Sequence, residues 1–295
     1  MKGLKALATA MTLALGFGIS ANAQILYKVE KKGSDKVSYL LGTHHFAPLS
    51  VVDSIEQLPS ILKDIDRLYG EIDMAQMKDP AVMMGMQQML MAPADSTLDK
   101  VLTAPQLDSL RTVWNEYTGG AMPIENMYMV KPSVISTQLA AMMTQKIFPE
   151  LNALEGIDMT MQNRAHELGK PVGGLETMQF QMDMLYNRPV AEQAKGLMKT
   201  VTDVKGEEER ALKLSKAYLN HDIDAILDMM VMMEGDDKEA TERIIYSRND
   251  SWVEKLSKEM PAESLMVVVG AGHLPGDRGV IAGLRKAGFT VTPVK

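Results

Sequence analysis

The sequence predicts an α/β protein in which a mixed β-sheet, built from N- and C-terminal segments, carries a large helical insertion that caps one edge. Three observations predict it. Strand-like apolar runs cluster near the two ends, at 25–31, 37–43 and 68–73, then at 265–269 and 290–294. Between about 74 and 260 the apolar spacing is mostly helical, interrupted by one strand at 172–175. Leu265 to Val269 is apolar at every position, as expected of a strand covered on both faces. With 295 residues, 46% of them hydrophobic, the chain can bury one sizeable core with a smaller cap.

Taken in order, residues 1–23 read as a secretory signal. Lys2 and Lys5 precede an apolar run from Ala6 to Ile19, and Ala21-Asn22-Ala23 offers small residues to a peptidase before Gln24. The run is too short for a membrane-spanning helix, which needs about 20 apolar residues, and no later segment lacks charge for long enough. A periplasmic or extracellular location without a transmembrane segment is therefore expected. The runs 25–31 and 37–43 flank Lys32-Gly33-Ser34-Asp35-Lys36, which reads as a hairpin turn with glycine at the unusual backbone angle. Ile55, Leu58, Ile61, Leu62 and Ile65 have helical spacing, and a short buried strand, Leu68 to Asp73, comes next. Within the insertion, breaks are expected at Pro93, Gly119-Gly120, Pro132, Gly169-Lys170-Pro171 and Gly235-Asp236-Asp237. A helix from about Arg278 to Ala287 and a last strand, Thr290 to Val294, end the chain. This makes 24–295 one domain, with its core in 24–73, 170–177 and 262–295 and its helical cap in about 74–168 and 178–260.

Composition narrows the function. The chain has no cysteine, so in an oxidising compartment its stability comes from packing and not from disulfides. Its formal charge is −7, and removing Lys2 and Lys5 with the signal makes it −9, without a dense basic cluster; nucleic acid is not an expected partner. Met77, Met83, Met84, Met86, Met89 and Met91 crowd one helical stretch. Filler for a helical core is the plainest reading, because unbranched thioethers suit irregular packing. A soft groove for peptides and a methionine-only copper site are the alternatives.

The chemistry-bearing pattern is a recurrence. Gly42-Thr43-His44-His45 and Gly270-Ala271-Gly272-His273 both place a histidine three residues after a glycine at the end of an apolar strand, in a chain with only 5 histidines. Ligands of open sheets gather at the carboxyl ends of strands, and glycine allows the chain to turn there. A third strand ends in Glu71 and Asp73, whose alternation would set both carboxylates on one face. Two histidines, His45 and His273, with Glu71 make a donor set for a divalent transition metal that leaves coordination positions open. Water on such an ion becomes acidic enough to attack a carbonyl near neutral pH. His44, one step along, should point elsewhere. Glu176, at another strand end, reads either as a base or histidine partner or as a carboxylate favoured at a helix start. Arg248, in a helical stretch before Trp252, reads by itself as a solvated or salt-bridged arginine. His166 and His221 lie in polar helical contexts and are expected at the surface.

"LYKVEKKGSDKVSYLLGTHH", "LYGEID", "GKPVGGLET", "RND" before Trp252 and "VVVGAGHLPGDRGVIAGLRKAGFTVTPV" together resemble the ordered motifs of the TraB/PrgY/GumN family, itself related to Tiki proteases and more distantly to erythromycin-esterase-like and ChaN-like proteins. The resemblance runs over about 25–295 and is most specific in the terminal blocks. It implies a Tiki-type mixed α/β core with a helical cap. It also implies functional roles for His45, His273, Glu71 and the late Arg248, which would then face the site and bind a substrate carboxylate or a developing oxyanion. The departure is His44, where relatives often carry an apolar residue. Tiki relatives are metal-dependent proteases assisted by manganese or cobalt. The expectation is an exported metallohydrolase, a peptidase, with a manganese, cobalt or zinc ion on His45, His273 and Glu71. Arg248 would stabilise charge, Glu176 or Asp73 would manage protons, and a peptide or small molecule would be the substrate. The alternatives are a non-catalytic module that binds a peptide or haem-like ligand on the same fold, and a metal-free hydrolase.

Overall fold

The computed structural model describes residues 24–148, 156–234 and 238–294. The secretory signal expected over 1–23 and the break expected at Gly235-Asp236-Asp237 lie outside the described residues. Six strands form one mixed sheet: β1 (Leu26–Lys31), β2 (Val37–Thr43), β3 (Arg67–Gly70), β4 (Val172–Gly174), β5 (Leu265–Gly270) and β6 (Phe289–Pro293). Their order across the sheet is β4-β3-β5-β2-β1-β6. The expected hairpin is present, with Leu26 opposite Leu41 and Glu30 opposite Val37, and Gly33 in its turn takes a φ of +87° that glycine adopts without a Cβ penalty.

Strands β4, β3, β5 and β2 run parallel, whereas β1 is antiparallel to both its neighbours. Parallel pairing aligns the carboxyl ends of four strands along one edge of the sheet, so Thr43, Gly70, Gly174 and Gly270 release the chain on the same side. Leu265 to Val269 of the central β5 are buried, as the unbroken apolar run requires. Sequence order and spatial order differ at this point: β5, nearly two hundred residues after β3, fills the gap between β3 and β2.

The helices are α1 (Leu58–Asp64), α2 (Pro80–Leu90), α3 (Ala104–Thr118), α4 (Pro132–Ile147), α5 (Ile157–Glu167), α6 (Met178–Tyr186), α7 (Val190–Thr202), α8 (Val204–Leu219), α9 (Ile223–Glu234), α10 (Ser247–Glu259) and α11 (Val280–Lys286), with shorter turns between. Helix α1 starts later than the apolar spacing suggests because Pro59 sits in its first turn, where a fixed φ and a missing N–H are harmless. Thr103 and Gln106 start α3 with a reciprocal capping box.

Two apolar cores result. The larger covers both faces of the sheet and includes Leu40, Leu41, Leu68, Val267, Trp252 and Tyr218. The smaller lies wholly in the insertion, where Leu110, Trp114, Leu139 and Leu197 join α3, α4 and α7. Each fully buried side chain of this size contributes about 1.5–3 kcal/mol, so the helical cap has a cohesion of its own.

Two expectations change. The methionine-rich helix α2 buries none of its residues. Val82, Met86, Met89 and Leu90 share a half-buried face, while Met83 and Met84 face solvent, Met84 with 61% exposure. The filler reading fails because a helix can carry methionine on both faces while only one stripe meets protein. Strand β3 stops at Gly70, so strand alternation does not govern Glu71 and Asp73.

Candidate active site

The parallel carboxyl ends deliver Glu71 after β3, Glu176 after β4, His45 after β2 and His273 after β5. Arg248 arrives from α10, which continues directly from a π-helical turn, Glu242–Tyr246. Such turns are uncommon and concentrate at functional sites, since the extra residue re-aims the side chains of the next helical turn. His45, Glu71, Arg248 and His273 line one cavity of about 500 Å³. Its remaining wall is largely apolar, from Phe46, Ile72, Leu185, Leu214, Ile226 and Ile244 among others.

Arg248 organises the floor. It is 4% exposed, and each of its five N–H donors has an acceptor. Nε donates to Glu176 Oε2 at 3.0 Å, and Nη2 donates to Glu176 Oε1 at 2.7 Å and Glu71 Oε2 at 2.5 Å. Nη1 donates to the Ile244 carbonyl and to His273 Nε2, both at 3.0 Å. The guanidinium also stacks 4.6 Å from the Trp252 ring centre. Burial by itself would lower the Arg248 pKa, but Glu71 and Glu176 hold it above its usual value.

The bidentate fork fixes Glu176, whose side chain is 7% exposed, and the neighbouring helix α6 starts instead from the Thr177 side chain, which accepts from Phe180 N–H. Glu176 is thus a partner of Arg248, and the cap lies one residue later. Glu71, 10% exposed, also accepts the Gly270 N–H at 2.8 Å and a Gln181 side-chain N–H at 3.0 Å. Burial would raise its carboxyl, yet the imidazoles of His273 and His45, the Arg248 charge and the Gly270 N–H outweigh that and bring it down to about 2.

His273 is held in one tautomer. Asn249 Nδ2 donates to the carbonyls of His273 and Arg278, at 3.2 Å and 2.9 Å, which leaves Asn249 Oδ1 as acceptor for His273 Nδ1–H at 2.7 Å. Nε2 is then the lone-pair nitrogen that meets Arg248. Burial is the main cause that pushes the imidazole down to about 3, so it is neutral at physiological pH.

His45 differs. Its side chain is 64% exposed within the cavity wall, and Nδ1 lies 2.9 Å from Asp158 Oδ2. The Asp158 charge and this hydrogen bond raise its pKa to about 9. Asp158, in the first turn of α5, is itself fixed by the Thr43 hydroxyl at 2.8 Å. His44, expected to point elsewhere, also lines the cavity, with its ring seated at the wall. Its Nδ1 accepts the Phe46 N–H, its ring packs against Tyr218, and burial lowers it to about 4. His166 is exposed, while His221 is half-buried.

The glycines of the two repeats serve closeness, and neither takes a positive φ. A Cβ on Gly42 would lie 2.9 Å from Leu274 Cδ1 and 3.1 Å from the Ala271 backbone, so the absence of a side chain lets β2 pack on the loop that carries His273.

Of the six residues singled out in the sequence, Glu71, His273, Arg248 and Glu176 converge on one network, and His45 stands on the same cavity wall. Asp73 does not join them, because its Oδ1 accepts the Ala75 N–H and caps a 3₁₀ turn, Met74–Lys78. Asp158, Asn249 and Gln181 were not foreseen. Their partners lie 113, 24 and 110 residues away in sequence, beyond the reach of any local pattern.

The donors suit a divalent transition ion in chemistry. Both imidazoles have Nδ1 tied to a side-chain oxygen, the outer-shell arrangement that orients Nε2 as a ligand. His273 Nε2 and Glu71 Oε1 lie 3.9 Å apart, a gap that one ion with bonds of about 2.0–2.2 Å can bridge. Among the described residues no three such side chains stand together as a ready ligand set, since His45 is turned to Asp158 and Arg248 already engages His273 and Glu71.

No match is found among curated proteins or solved structures. A family model described as the TraB/PrgY/gumN family matches residues 25–293, a span that takes in all six strands, both glycine–histidine repeats and every residue of the network around Arg248. The chain belongs to the TraB/PrgY/gumN family.

Proposed function

We propose that this protein is an exported metal-dependent hydrolase, a peptidase, with His45, His273 and Glu71 as the metal-holding residues. The observation that carries the reading is the paired histidines, each with Nδ1 anchored by Asp158 or Asn249, on the carboxyl edge of the sheet beside an ionised glutamate. Manganese, cobalt or zinc bound there supplies a Lewis acid and an acidified water. The chain's own groups prepare the place. Glu71 accepts three hydrogen bonds on two oxygens and keeps capacity for a fourth donor. Arg248 holds Glu71 and Glu176 in fixed positions, and the burial of all three side chains strengthens each charge on the floor. Asn249 keeps the His273 Nε2 lone pair facing Arg248 and Glu71.

The test is hydrolysis of a peptide library by the mature chain, 24–295. Cleavage stopped by a chelator, restored by one of the three ions, and lost in His45→Ala and His273→Ala would support the proposal. Full turnover by both variants would overturn it.

One observation favours a second reading, a metal-free hydrolase: Arg248 already engages Glu71 Oε2 and the His273 Nε2 lone pair. In that case the His45–Asp158 pair, protonated near neutral pH because Asp158 raises His45 to about 9, delivers a proton to the leaving group while the attacking water releases its own to solvent. Turnover unaffected by chelation yet lost in Asp158→Asn would select this reading.

A further inference from the structure

The guanidinium on the cavity floor has no donor left for a substrate, since Glu71, Glu176, His273 and the Ile244 carbonyl take all of its N–H groups. Other side-chain donors of the wall are engaged as well: the Thr43 hydroxyl by Asp158, the Gln181 amide by Glu71 and Glu176, the Gln162 amide by the Ile72 carbonyl, and the Tyr218 hydroxyl by the Gly42 carbonyl. His45 Nε2 is committed in either reading of the site, to the ion or to the leaving group.

His44 stands apart. Its Nδ1 accepts the Phe46 N–H at 3.1 Å, so the ring hydrogen sits on Nε2, which then has no lone pair for a metal. Nε2–H meets no acceptor among the described residues. The sealed side-chain atoms that lack a partner belong to Ser215, Arg243 and Trp252, and His44 is not among them, so its Nε2 reaches open space. The space that this half-buried residue lines is the cavity. The ring is also held in place, 5.5 Å from the ring of the fully buried Tyr218 and edge-on to Phe46 at 6.3 Å, centre to centre.

We propose, resting on the hydrolase reading, that His44 is a catalytic residue whose Nε2–H donates to the substrate carbonyl oxygen and holds it as negative charge develops. Water forms a bond to the carbonyl carbon, the π pair of the C=O bond moves onto oxygen, and the water proton leaves to solvent while the imidazole keeps its own. A fixed donor gains strength as that oxygen becomes an anion. The charge-stabilising role expected of Arg248 passes to the one motif residue at which the family resemblance departs.

The probe is the phosphinic analogue of acetyl-Ala-Leu-Leu-Ala-amide, whose phosphinyl oxygens stand where the tetrahedral oxyanion would form at the central bond. Calorimetry measures its binding to the protein expressed as residues 24–295 and supplied with manganese, cobalt or zinc in turn. His44→Phe, which keeps a ring and removes the donor, should weaken binding about 10- to 100-fold, the range for a hydrogen bond to a charged group. His44→Gln, which keeps an N–H, should weaken it less, with circular dichroism and metal content unchanged in both. If His44→Phe does not fold, His44→Leu takes its place. Nitrogen NMR of the native protein should show the His44 ring as the Nε2–H tautomer. The Nδ1–H tautomer, equal binding by the native and Phe proteins, equal losses in Phe and Gln, or no binding of the phosphinate to the native protein at about 1 mM would each overturn the proposal. Peptide cleavage separates the two levels. Cleavage with kcat and kcat/KM lowered alike by about 100-fold in His44→Phe supports both. Phosphinate binding that depends on His44, with no library peptide cleaved, supports the donor and counts against the peptidase. Cleavage unchanged in His44→Phe keeps the peptidase and overturns the donor.

Discussion

Replacing Arg248 with methionine removes one guanidinium and strands two carboxylates. The side chains involved are 4%, 10% and 7% exposed for Arg248, Glu71 and Glu176, so solvent cannot compensate the loss. Breaking one side of a buried ion pair costs about 3–5 kcal/mol. For a chain of this size that lowers the unfolding midpoint by roughly 10 °C. The pH dependence identifies the cause. In the native protein Glu71 is held down to about 2, below its unfolded value of about 4.3. Its contribution to stability is therefore present above the unfolded value and lost only as pH falls through the folded one. Without Arg248, burial becomes the strongest influence on the carboxyl and pushes it upward. Glu71 of the variant then takes up a proton between neutral pH and about 4. The stability gap between the two proteins should be widest near pH 7 and narrow toward pH 4.5, measured by urea unfolding at both values. A gap below about 1 kcal/mol at pH 7, or the same gap at both pH values, would refute the reasoning. Adding Glu71→Gln and Glu176→Gln to the variant should restore part of the loss.

Asn249→Asp places a negative charge 2.7 Å from His273 Nδ1 and should raise the imidazole from about 3 by about 1–3, read by its NMR titration. Asp158→Asn should return His45 from about 9 toward the ordinary histidine value near 6.5. Because the native shift is upward, the stability it lends is full below about 6.5 and vanishes as pH rises through about 9, so this variant should lose stability at pH 6 but not at pH 10. Gly42→Ala forces a Cβ to 3.1 Å from the Ala271 backbone and should cost about 1–3 kcal/mol, whereas Gly85→Ala in α2 meets nothing within 4 Å and should stabilise by about 0.5–1 kcal/mol. Thermal unfolding of the pair checks both signs.

Much of the sheet was legible because its signals are local. The β1–β2 hairpin arises from two β-rich runs around a glycine turn, and β5 from an apolar run with no polar interruption. The glycine–histidine repeats mark the right edge of the sheet, since two strands that end alike and pair in parallel must release their histidines together. Three features were hidden. The five-donor role of Arg248 depends on where α10 lies against β3 and β4, which one residue in a helix cannot reveal. Asp158 and Asn249 look like ordinary helical polar residues until the fold brings them to the histidines. Strand alternation was extended past Gly70 into a turn where it no longer applies, so Asp73 was grouped with Glu71 although it caps the next 3₁₀ turn. The α2 methionines were read as core because hydrophobicity marks a stripe but not what covers it.

The most direct single measurement is the metal content of the protein, expressed as residues 24–295, by elemental analysis after purification without chelator, with His45→Ala and His273→Ala prepared alongside. One equivalent of manganese, cobalt or zinc in the native protein and less than about a tenth of that in each variant is the expected result. Equal metal in all three proteins, or none in the native protein even after incubation with each ion, would contradict the assignment of positions 45, 71 and 273 to a shared ion.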